Sequence, residues 1–272
     1  MKLLEWLKNL FKKEAKPRAP AWDVPIETVI VKAGPKPAPW PLDLLKGHGF
    51  SLESVVVGSD VIPFAVPHPR KKMKTKGSYG GGWPRGAVVH YTAGRDGKGK
   101  AFSTIEGAED YYAYLCIDID GTVVQAHPVS RWGYHAGKSG WRGLIGGMND
   151  DLIGIEINNP GKLKEKDGKL VTWYGEEVAK EDARYVTESA YGCPTGWYKK
   201  YSKAQEDALV KVLAWLYYSS PRADHFKIDN VVGHHEVAGP LGGALDFFRK
   251  SDPGGSLWLP MPEFRNYLRK IL

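Results

Sequence analysis

Two histidines and an aspartate near the end of the chain are spaced in a way that could bind a metal ion. The stretch 230–240 opens with a short β-branched run that ends at His234 and His235, and Asp252 follows in a loop closed by proline and glycine. Imidazole and carboxylate groups are both good zinc ligands, and a site with three protein ligands keeps one position open for water. A surface loop with two ordinary histidines is the alternative, and this stretch alone does not decide between them.

Two other apolar runs carry polar residues that could join the same site. Residues 87–94 have the pattern of a buried strand that leads into His90 and a glycine turn, and residues 152–158 form a second apolar run with Glu156 inside it. A third short strand is predicted directly before His234. Because the ends of strands in one sheet can meet, these three runs would bring the two histidines and the glutamate together.

Strands and helices alternate in the rest of this part of the chain. Residues 114–125 have the alternation of a β-hairpin with its turn at Asp120-Gly121. Ser202 and Gln205 have the spacing of a capping box for a helix that ends near Tyr218. Further predictions are a short strand at 55–57, helices at 101–112 and 262–271, and a long insertion at 160–200. Together these elements predict an α/β fold with a central mixed β-sheet flanked by helices.

The first 83 residues differ in composition from the rest. Residues 1–13 place leucines and Phe11 at helical spacing, with lysines elsewhere on the wheel, which predicts a basic amphipathic helix. Docking on the protein or a partner, contact with an anionic membrane surface, and fraying are all open for this segment. Residues 14–45 are rich in proline, lysine and alanine and predict an extended Pro-rich arm. We therefore predict an N-terminal extension over residues 1–83 and one main domain over residues 84–272.

Targeting features are not evident in the sequence. The start lacks an unbroken apolar core and a small-residue cleavage site, so we expect no signal peptide and synthesis in the cytoplasm. No run of 18 or more apolar residues occurs that would predict a membrane-spanning helix.

The composition allows a sizeable core and favours anionic partners. The chain has 272 residues, of which 42% are hydrophobic, and 38 Lys and Arg against 31 Asp and Glu give a net charge of +7. Such an excess attracts nucleic acid, anionic lipid or the anionic polymers of a bacterial wall, and charge alone does not choose among them. Cys116 and Cys193 are the only cysteines, and we predict that both are free thiols.

Five short motifs follow one another along the chain: His90-Tyr-Thr-Ala-Gly94, Tyr134-His-Ala-Gly137, Ile153-Gly-Ile-Glu-Ile157, Val232-Gly-His-His-Glu-Val-Ala238 and Lys250-Ser-Asp-Pro-Gly254. Their order resembles that in zinc-dependent N-acetylmuramoyl-L-alanine amidases of the peptidoglycan-recognition-protein fold. Each motif alone is weak, but five in order make residues 84–272 resemble this family, which includes phage lysins and bacterial muropeptide amidases. Residues 1–83 carry no part of the resemblance.

The resemblance implies a zinc site. His90, His234 and Asp252 would hold one zinc ion per chain. His234 is preferred to His235 because the family uses the histidine directly after glycine, and the next residue of a strand would face the other way. The loop that leads to Asp252 is longer than in most members of the family, so Asp246 is a lesser candidate ligand.

The resemblance also implies catalytic and substrate-binding residues. Glu156, which would point opposite to its isoleucine neighbours, would act as the general base, with a solvent-facing glutamate as the alternative. Lys250 would stabilise the oxyanion, with an ordinary charged loop residue as the alternative. His135 would line the groove and contact the substrate. The catalytic tyrosine that some members carry before the hairpin strand is Ala113 here, and the neighbouring Tyr114 receives no role.

The implied activity is hydrolysis of the amide bond between N-acetylmuramic acid and L-alanine, with peptidoglycan or a soluble muropeptide as the partner and no nucleic acid. A non-catalytic peptidoglycan-binding receptor of the same fold is the alternative, although such receptors typically lack part of the zinc triad. An antibacterial protein or endolysin of this kind would reach the cell wall by holin-type release or by delivery with a virion. Four tryptophans could line the groove or simply pack: Trp132, Trp141, Trp173 and Trp197.

Overall fold

A computed structural model describes residues 42–272 of the chain. The predicted amphipathic segment, residues 1–13, and the Pro-rich arm up to residue 41 lie outside the described residues. The helices are α1 Leu42–Gly47, α2 Lys100–Glu106, α3 Glu188–Tyr191, α4 Lys203–Tyr218, α5 His234–Val237 and α6 Met261–Ile271. The strands up to the middle of the chain are β1 Val66–Pro67, β2 Gly77–Ser78, β3 Ala87–Tyr91, β4 Tyr114–Ile117, β5 Val123–Gln125, β6 Arg131–Trp132, β7 Gly140–Trp141 and β8 Leu144–Ile145. The later strands are β9 Ile153–Ile157, β10 Lys164–Lys166, β11 Lys169–Val171, β12 Glu177–Val178, β13 Ala183–Val186, β14 Gly196–Lys199 and β15 Val231–Gly233.

A six-stranded mixed sheet has the order β1-β5-β4-β9-β3-β15. Strands β4, β9, β3 and β15 run parallel to one another, whereas β5 runs antiparallel to β4. Parallel strands are covered on both faces, which explains why their sequences are almost continuously apolar. The α/β fold with a central mixed sheet flanked by helices, predicted from the sequence, is therefore confirmed.

Alternation along the strands gives the sheet two different faces. One face, with Val89 of β3 and Ile155 of β9, packs against α4 and α6 in the largest apolar cluster. The second face carries two smaller clusters. One joins β4 and β5 to α2, and the other joins Val88 and Val232 to Met148 and to α5. The second face therefore leaves room between the two clusters for polar side chains.

Several local predictions are confirmed. Helix α4 ends at Tyr218 as predicted, and its capping box joins Ser202 and Gln205 through bonds in both directions. The hairpin β4–β5 and the last helix lie where the sequence placed them. Cys116 and Cys193 are both free and buried.

Other local predictions are wrong or incomplete. Residues 55–57 are not a strand, and they follow a 3-10 turn at Leu52–Ser54 instead. Helix α2 ends at Glu106, well before residue 112, because Gly107 caps it and Tyr111 has a left-handed backbone with φ of 67°. The insertion at 160–200 forms the short strands β10 to β14 in two small antiparallel sheets. Strands of two to four residues are too short to show a periodic pattern.

Residues 42–83 contribute to the same core as the rest of the described chain. Leu45 and Ile62 are fully buried, and Phe50 stacks on Tyr218 of α4 with ring centroids 5.7 Å apart. Strand β1 extends the central sheet beside β5. The boundary at residue 84 stays a prediction. Within residues 42–272, no helix is long and apolar enough to cross a membrane.

Candidate active site

A cavity of about 440 Å³ opens on the second face of the sheet. Its lining includes every residue predicted for the site: His90, His135, Glu156, His234, Lys250 and Asp252. Asp246, the lesser candidate ligand, is exposed, and it belongs to no metal-binding group among the described residues. The four tryptophans considered from the sequence are not part of the cavity lining.

The register of the parallel strands places His90, Glu156 and His234. His90 on β3 lies directly opposite Glu156 on β9, so both side chains point to the same face of the sheet. Gly233 on β15 is aligned with Val89, which brings His234 to the level of His90. His234 is also the first residue of α5. The alternation argument for His235 therefore does not apply, because the strand has already ended.

Asp252 returns to the site in a loop that is fixed by His235. The backbone N–H and the ring Nδ1–H of His235 both donate to the carbonyl oxygen of Asp252, at 2.8 and 2.9 Å. The side chain of Asp252 is thereby turned towards the cavity, and the residue is 5% exposed. The two adjacent histidines therefore have different roles. His234 faces the cavity, and His235 holds the loop that contains Asp252.

Three donor atoms converge at the floor of the cavity. The Nδ1 atoms of His90 and His234 are 2.9 Å apart, and Oδ2 of Asp252 lies 3.1 Å from the first and 2.9 Å from the second. All three residues are buried. Among the described residues this is the one group of histidine and carboxylate donors close enough to hold a metal ion together.

A chain of hydrogen bonds behind His90 sets which of its ring nitrogens carries the proton. Nε2 of His135 lies 2.8 Å from the carbonyl oxygen of Leu152, which can only accept, so this nitrogen donates. The other nitrogen of His135 is then an acceptor, and Nε2–H of His90 donates to it at 3.1 Å. Nδ1 of His90 is left with a lone pair that faces the cavity. The His135 ring lies over Gly154, where a Cβ atom would be 2.7 Å from Cγ of His135.

His234 is oriented in the same way by a different carbonyl group. Its Nε2–H donates to the oxygen of Ala136 at 3.2 Å, so its Nδ1 also presents a lone pair to the cavity. The guanidinium of Arg249 donates to the same oxygen at 2.7 Å and to that of Lys138 at 3.2 Å. The segment from His135 to Lys138 therefore fixes both imidazoles.

Burial keeps the His90 and His135 rings neutral. Burial and the neighbouring His234 lower the pKa of His90 to about 4, and burial and His90 lower the pKa of His135 well below its usual value. Burial acts to raise the pKa of Asp252, but the two imidazoles beside it hold that pKa well below the ordinary range. Neutral imidazoles and an ionised carboxylate are the forms that bind a cation.

Glu156 stands beside these donors without a partner of its own. Its Oε1 lies 4.0 Å from Nδ1 of His90, and its buried Oε2 has no hydrogen bond. Burial, followed by the charge of Asp252, raises the pKa of Glu156 to about 8, while Lys250 acts in the opposite direction. A carboxylate oxygen that has no hydrogen-bond partner in the protein is free to exchange a proton with a molecule in the cavity.

A buried ion pair below the site was not found from the sequence. Glu236 of α5 accepts two bonds from the guanidinium of Arg265 on α6, at 2.7 and 2.9 Å, and one from the backbone N–H of Gly233. Both charged residues are buried. The pair ties the short helix that begins with His234 to the last helix of the chain. Pairing of residues so far apart leaves no local pattern in a sequence.

Tyr112 and Arg249 also line the cavity and were not found from the sequence. An aromatic residue before a strand and an arginine in a charged loop are common elsewhere, so their types alone do not mark a site. Tyr114 lines the cavity too, but its hydroxyl points to the carbonyl oxygen of Thr104, at 3.4 Å.

Comparison with known structures finds similar chains of low sequence identity. A selenomethionine derivative of AmpD is 22% identical, with 74% of this chain and 94% of that chain covered and a TM-score of 0.42. AmiD from E. coli, solved with anhydro-N-acetylmuramic acid-L-Ala-D-gamma-Glu-L-Lys, is 23% identical. The match covers 63% of this chain and 54% of that chain, with a TM-score of 0.41. The N-acetylmuramoyl-L-alanine amidase LysC from Clostridium intestinale is 16% identical. The match covers 76% of this chain and 98% of that chain, with a TM-score of 0.40. Comparison with curated proteins gives no match.

The family model described as N-acetylmuramoyl-L-alanine amidase matches residues 80–255. This segment is more than half of the chain, and it contains the three converging donors together with Glu156 and Lys250. The chain therefore belongs to the N-acetylmuramoyl-L-alanine amidase family.

Proposed function

We propose that this protein is a zinc-dependent amidase that hydrolyses the bond between the lactyl group of N-acetylmuramic acid and L-alanine in peptidoglycan. The observation that carries the proposal is the convergence of His90, His234 and Asp252 beside Glu156, which has no other partner. Membership of the amidase family supports the same activity. The AmiD structure contains a muropeptide fragment of this kind, which is a further reason to test such substrates here.

The donor set suits zinc. Two imidazole nitrogens and one carboxylate oxygen are typical ligands of catalytic zinc, which keeps a fourth position open. Ligands at ~2.0–2.1 Å from a tetrahedral ion lie about 3.3 Å from one another, close to the 2.9 to 3.1 Å between the three donors. Two lone pairs that face each other at 2.9 Å beside a carboxylate also favour a cation between them. When bound, zinc would lower the pKa of water and polarise the scissile carbonyl group.

Glu156 is the group we assign to proton transfer. Its carboxylate takes a proton from the water molecule that attacks the carbonyl carbon, and it then gives a proton to the alanine nitrogen as the C–N bond breaks. Burial raises the pKa of Glu156 in the metal-free protein. A bound zinc ion would lower that pKa again, towards the ionised form that accepts a proton in the first step.

Lys250 and His135 would assist in different ways. The exposed side chain of Lys250 lines the cavity, from where its ammonium group would stabilise the oxyanion of the tetrahedral intermediate. Contact of His135 with the substrate stays a prediction. We propose in addition that His135 positions His90, because both of its ring nitrogens are bonded within the protein.

The alternative of a non-catalytic peptidoglycan receptor is less well supported. A receptor has no need of a complete set of metal donors or of a partnerless buried carboxylate next to them. Both features cost stability unless a metal ion and a substrate use them. Release through a holin, delivery with a virion and contact of residues 1–13 with an anionic membrane stay proposals about how the protein reaches its substrate.

Metal content tests the zinc site directly. Purified protein should contain about one zinc ion per chain, and Asp252→Asn should lose it. Asp246→Asn is the matched control, since it removes an exposed carboxylate from the same loop. Full zinc occupancy in Asp252→Asn would show that the ion is held elsewhere.

Product analysis tests the reaction. Digestion of peptidoglycan should release peptides with a free N-terminal alanine and leave glycan strands that carry intact lactyl groups, as mass spectrometry would show. Chelation should stop the reaction. Binding of peptidoglycan by the zinc-loaded protein without any such products would favour the receptor.

A further inference from the structure

Three exposed tyrosines lie side by side at the rim of the cavity. Tyr111, Tyr112 and Tyr134 are 41, 40 and 38% exposed, and Tyr112 is part of the cavity lining. Large aromatic side chains are usually buried, and a cluster of exposed ones marks a binding surface more often than single exposed residues do. The proposed reaction assigns no role to this cluster.

The backbone holds the cluster in place at a conformational cost. The backbone N–H of Tyr134 donates to the carbonyl oxygen of Tyr111 at 2.7 Å. The backbone N–H of Ala113 donates to the carbonyl oxygen of Tyr134 at 3.3 Å. This close approach requires Gly133, where a Cβ atom would lie 2.6 Å from Cβ of Ala113. Tyr111 adopts a left-handed backbone with φ of 67°, which is unfavourable for a tyrosine. Strained backbone of this kind persists where the surrounding structure imposes it, commonly at ligand sites.

The rings are arranged as a platform with a cation beside it. Tyr112 and Tyr134 meet edge to face with centroids 6.0 Å apart, and Trp132 meets Tyr134 in the same way at 6.1 Å. Nζ of Lys76 lies 4.1 Å from the ring centroid of Tyr111 and 5.0 Å from that of Tyr134. The surface therefore offers apolar ring faces, phenol hydroxyls and an ammonium donor, but no carboxylate from these residues.

The other side of the cavity has a different chemistry. Arg249, Lys250 and Ser251 come from the loop that follows α5, next to the edge strand β15, whereas Tyr112 directly precedes β4. The sheet order places β4 and β15 on opposite sides of the strands that carry Glu156 and His90. The scissile amide would thus lie between an aromatic side and a cationic side.

We propose that Tyr112 and Tyr134, with Lys76, bind the sugar rings on the glycan side of the scissile amide. This inference rests on the proposed function and adds the direction in which the substrate lies. A pyranose ring has apolar C–H faces that pack on aromatic rings, and its hydroxyl and acetamido oxygens accept hydrogen bonds from an ammonium group. The stem peptide, which carries carboxylates, then extends towards Arg249, whose charge complements it.

Binding of the two halves of the substrate tests the proposal without relying on catalysis. The zinc-loaded protein would be titrated calorimetrically with the peptide-free disaccharide of N-acetylglucosamine and N-acetylmuramic acid, and separately with the sugar-free stem peptide. Tyr112→Ala and Tyr134→Ala should each weaken disaccharide binding about tenfold, the loss of one well-packed aromatic contact, and leave peptide binding unchanged. Tyr112→Phe should bind like the wild type, because it keeps the ring.

Tyr185→Ala is the matched control, since Tyr185 is a 53% exposed tyrosine on β13 that does not line the cavity. The proposal is overturned if the wild type does not bind the disaccharide, if Tyr112→Ala binds it equally well, or if that variant loses peptide binding instead. Failure of the proposed function gives a different result, namely absence of hydrolysis by the wild type whether or not the disaccharide binds.

Discussion

Glu156 is the residue for which function and stability should oppose each other. Glutamine has nearly the shape of glutamate, and Oε2 of Glu156 has no hydrogen bond that the change would break. Glu156→Gln should therefore keep the fold and the zinc, while kcat on a muropeptide falls by roughly 10²–10⁴, the usual contribution of a positioned general base. The same substitution should make the metal-free protein more stable, because it removes a carboxyl group that is difficult to ionise where it stands.

The size of that stabilisation follows from the raised pKa. In the unfolded chain the carboxyl group has its ordinary pKa of 4.5, and in the metal-free fold its pKa is about 8. At pH 7 folding must therefore protonate a group that is ionised in the unfolded chain. This pH lies about 2.5 units above the unfolded-state pKa, and at 1.36 kcal/mol per unit the cost to the unfolding free energy is about 3 kcal/mol. At pH 5 the same reasoning gives only about 1 kcal/mol. The sign is that of a raised carboxyl pKa, so the penalty grows as the pH rises from 4.5 to 8.

Urea denaturation of chelator-treated protein at pH 5 and pH 7 measures both values. The difference in unfolding free energy between Glu156→Gln and the wild type should grow by about 2 kcal/mol between these two pH values. Glu165→Gln on β10 is the matched control, because its side chain is exposed and the change should be neutral at both. A Gln variant that is no more stable than the wild type at pH 7 would refute the argument that Glu156 is difficult to ionise in the metal-free fold. A Gln variant with more than about a third of the wild-type kcat would refute its role as the base.

The remaining predictions concern the surroundings of the site. His135→Phe should weaken zinc binding by about 10–100-fold in a chelator competition assay, because His90 loses the acceptor that fixes its tautomer. Arg265→Met should lower the unfolding free energy by roughly 3–5 kcal/mol, since it leaves Glu236 buried and unpaired, whereas Arg269→Met in an exposed pair should cost less than about 1 kcal/mol. The metal-free protein should lose stability as the pH falls from 6.5 towards 4.5. Four buried histidines with lowered pKa values resist protonation there, and they outnumber the two glutamates with raised pKa values, so the unfolding free energy from denaturation curves should fall with the pH. Deleting residues 1–13 should reduce binding to anionic vesicles in a salt-dependent way and leave soluble muropeptide turnover unchanged, and equal vesicle binding by both proteins would exclude a membrane role for that segment.

The sequence was sufficient for five of the six strands of the central sheet and for the convergence of His90, Glu156 and His234. The strands that carry His90 and Glu156 are apolar runs with one polar residue facing the other way, and this alternation is visible without a structure. Parallel pairing then requires the strand ends to meet. The position of Asp252 came from the family resemblance, since a long loop leaves its path open.

The supporting contacts could not be predicted because they join distant segments. The proton-bearing nitrogen of His90 depends on His135, whose ring is positioned by a loop that crosses the sheet over Gly154. The tyrosine platform depends on a left-handed backbone at Tyr111, within a segment where the sequence predicted a continuing helix. In both cases local preference gives way to tertiary packing.

The separation of the metal donors along the chain determines when the site can form. His90 and His234 are 144 residues apart, and His90 and Asp252 are 162 apart, so only the paired sheet brings them together. An unfolded or partly synthesised chain would have to close very long loops to imitate this arrangement, and it therefore competes poorly for the ion. With the proposed zinc site, metal uptake would follow folding. The free energy of binding would then go to the folded state, and zinc occupancy would report completion of the fold.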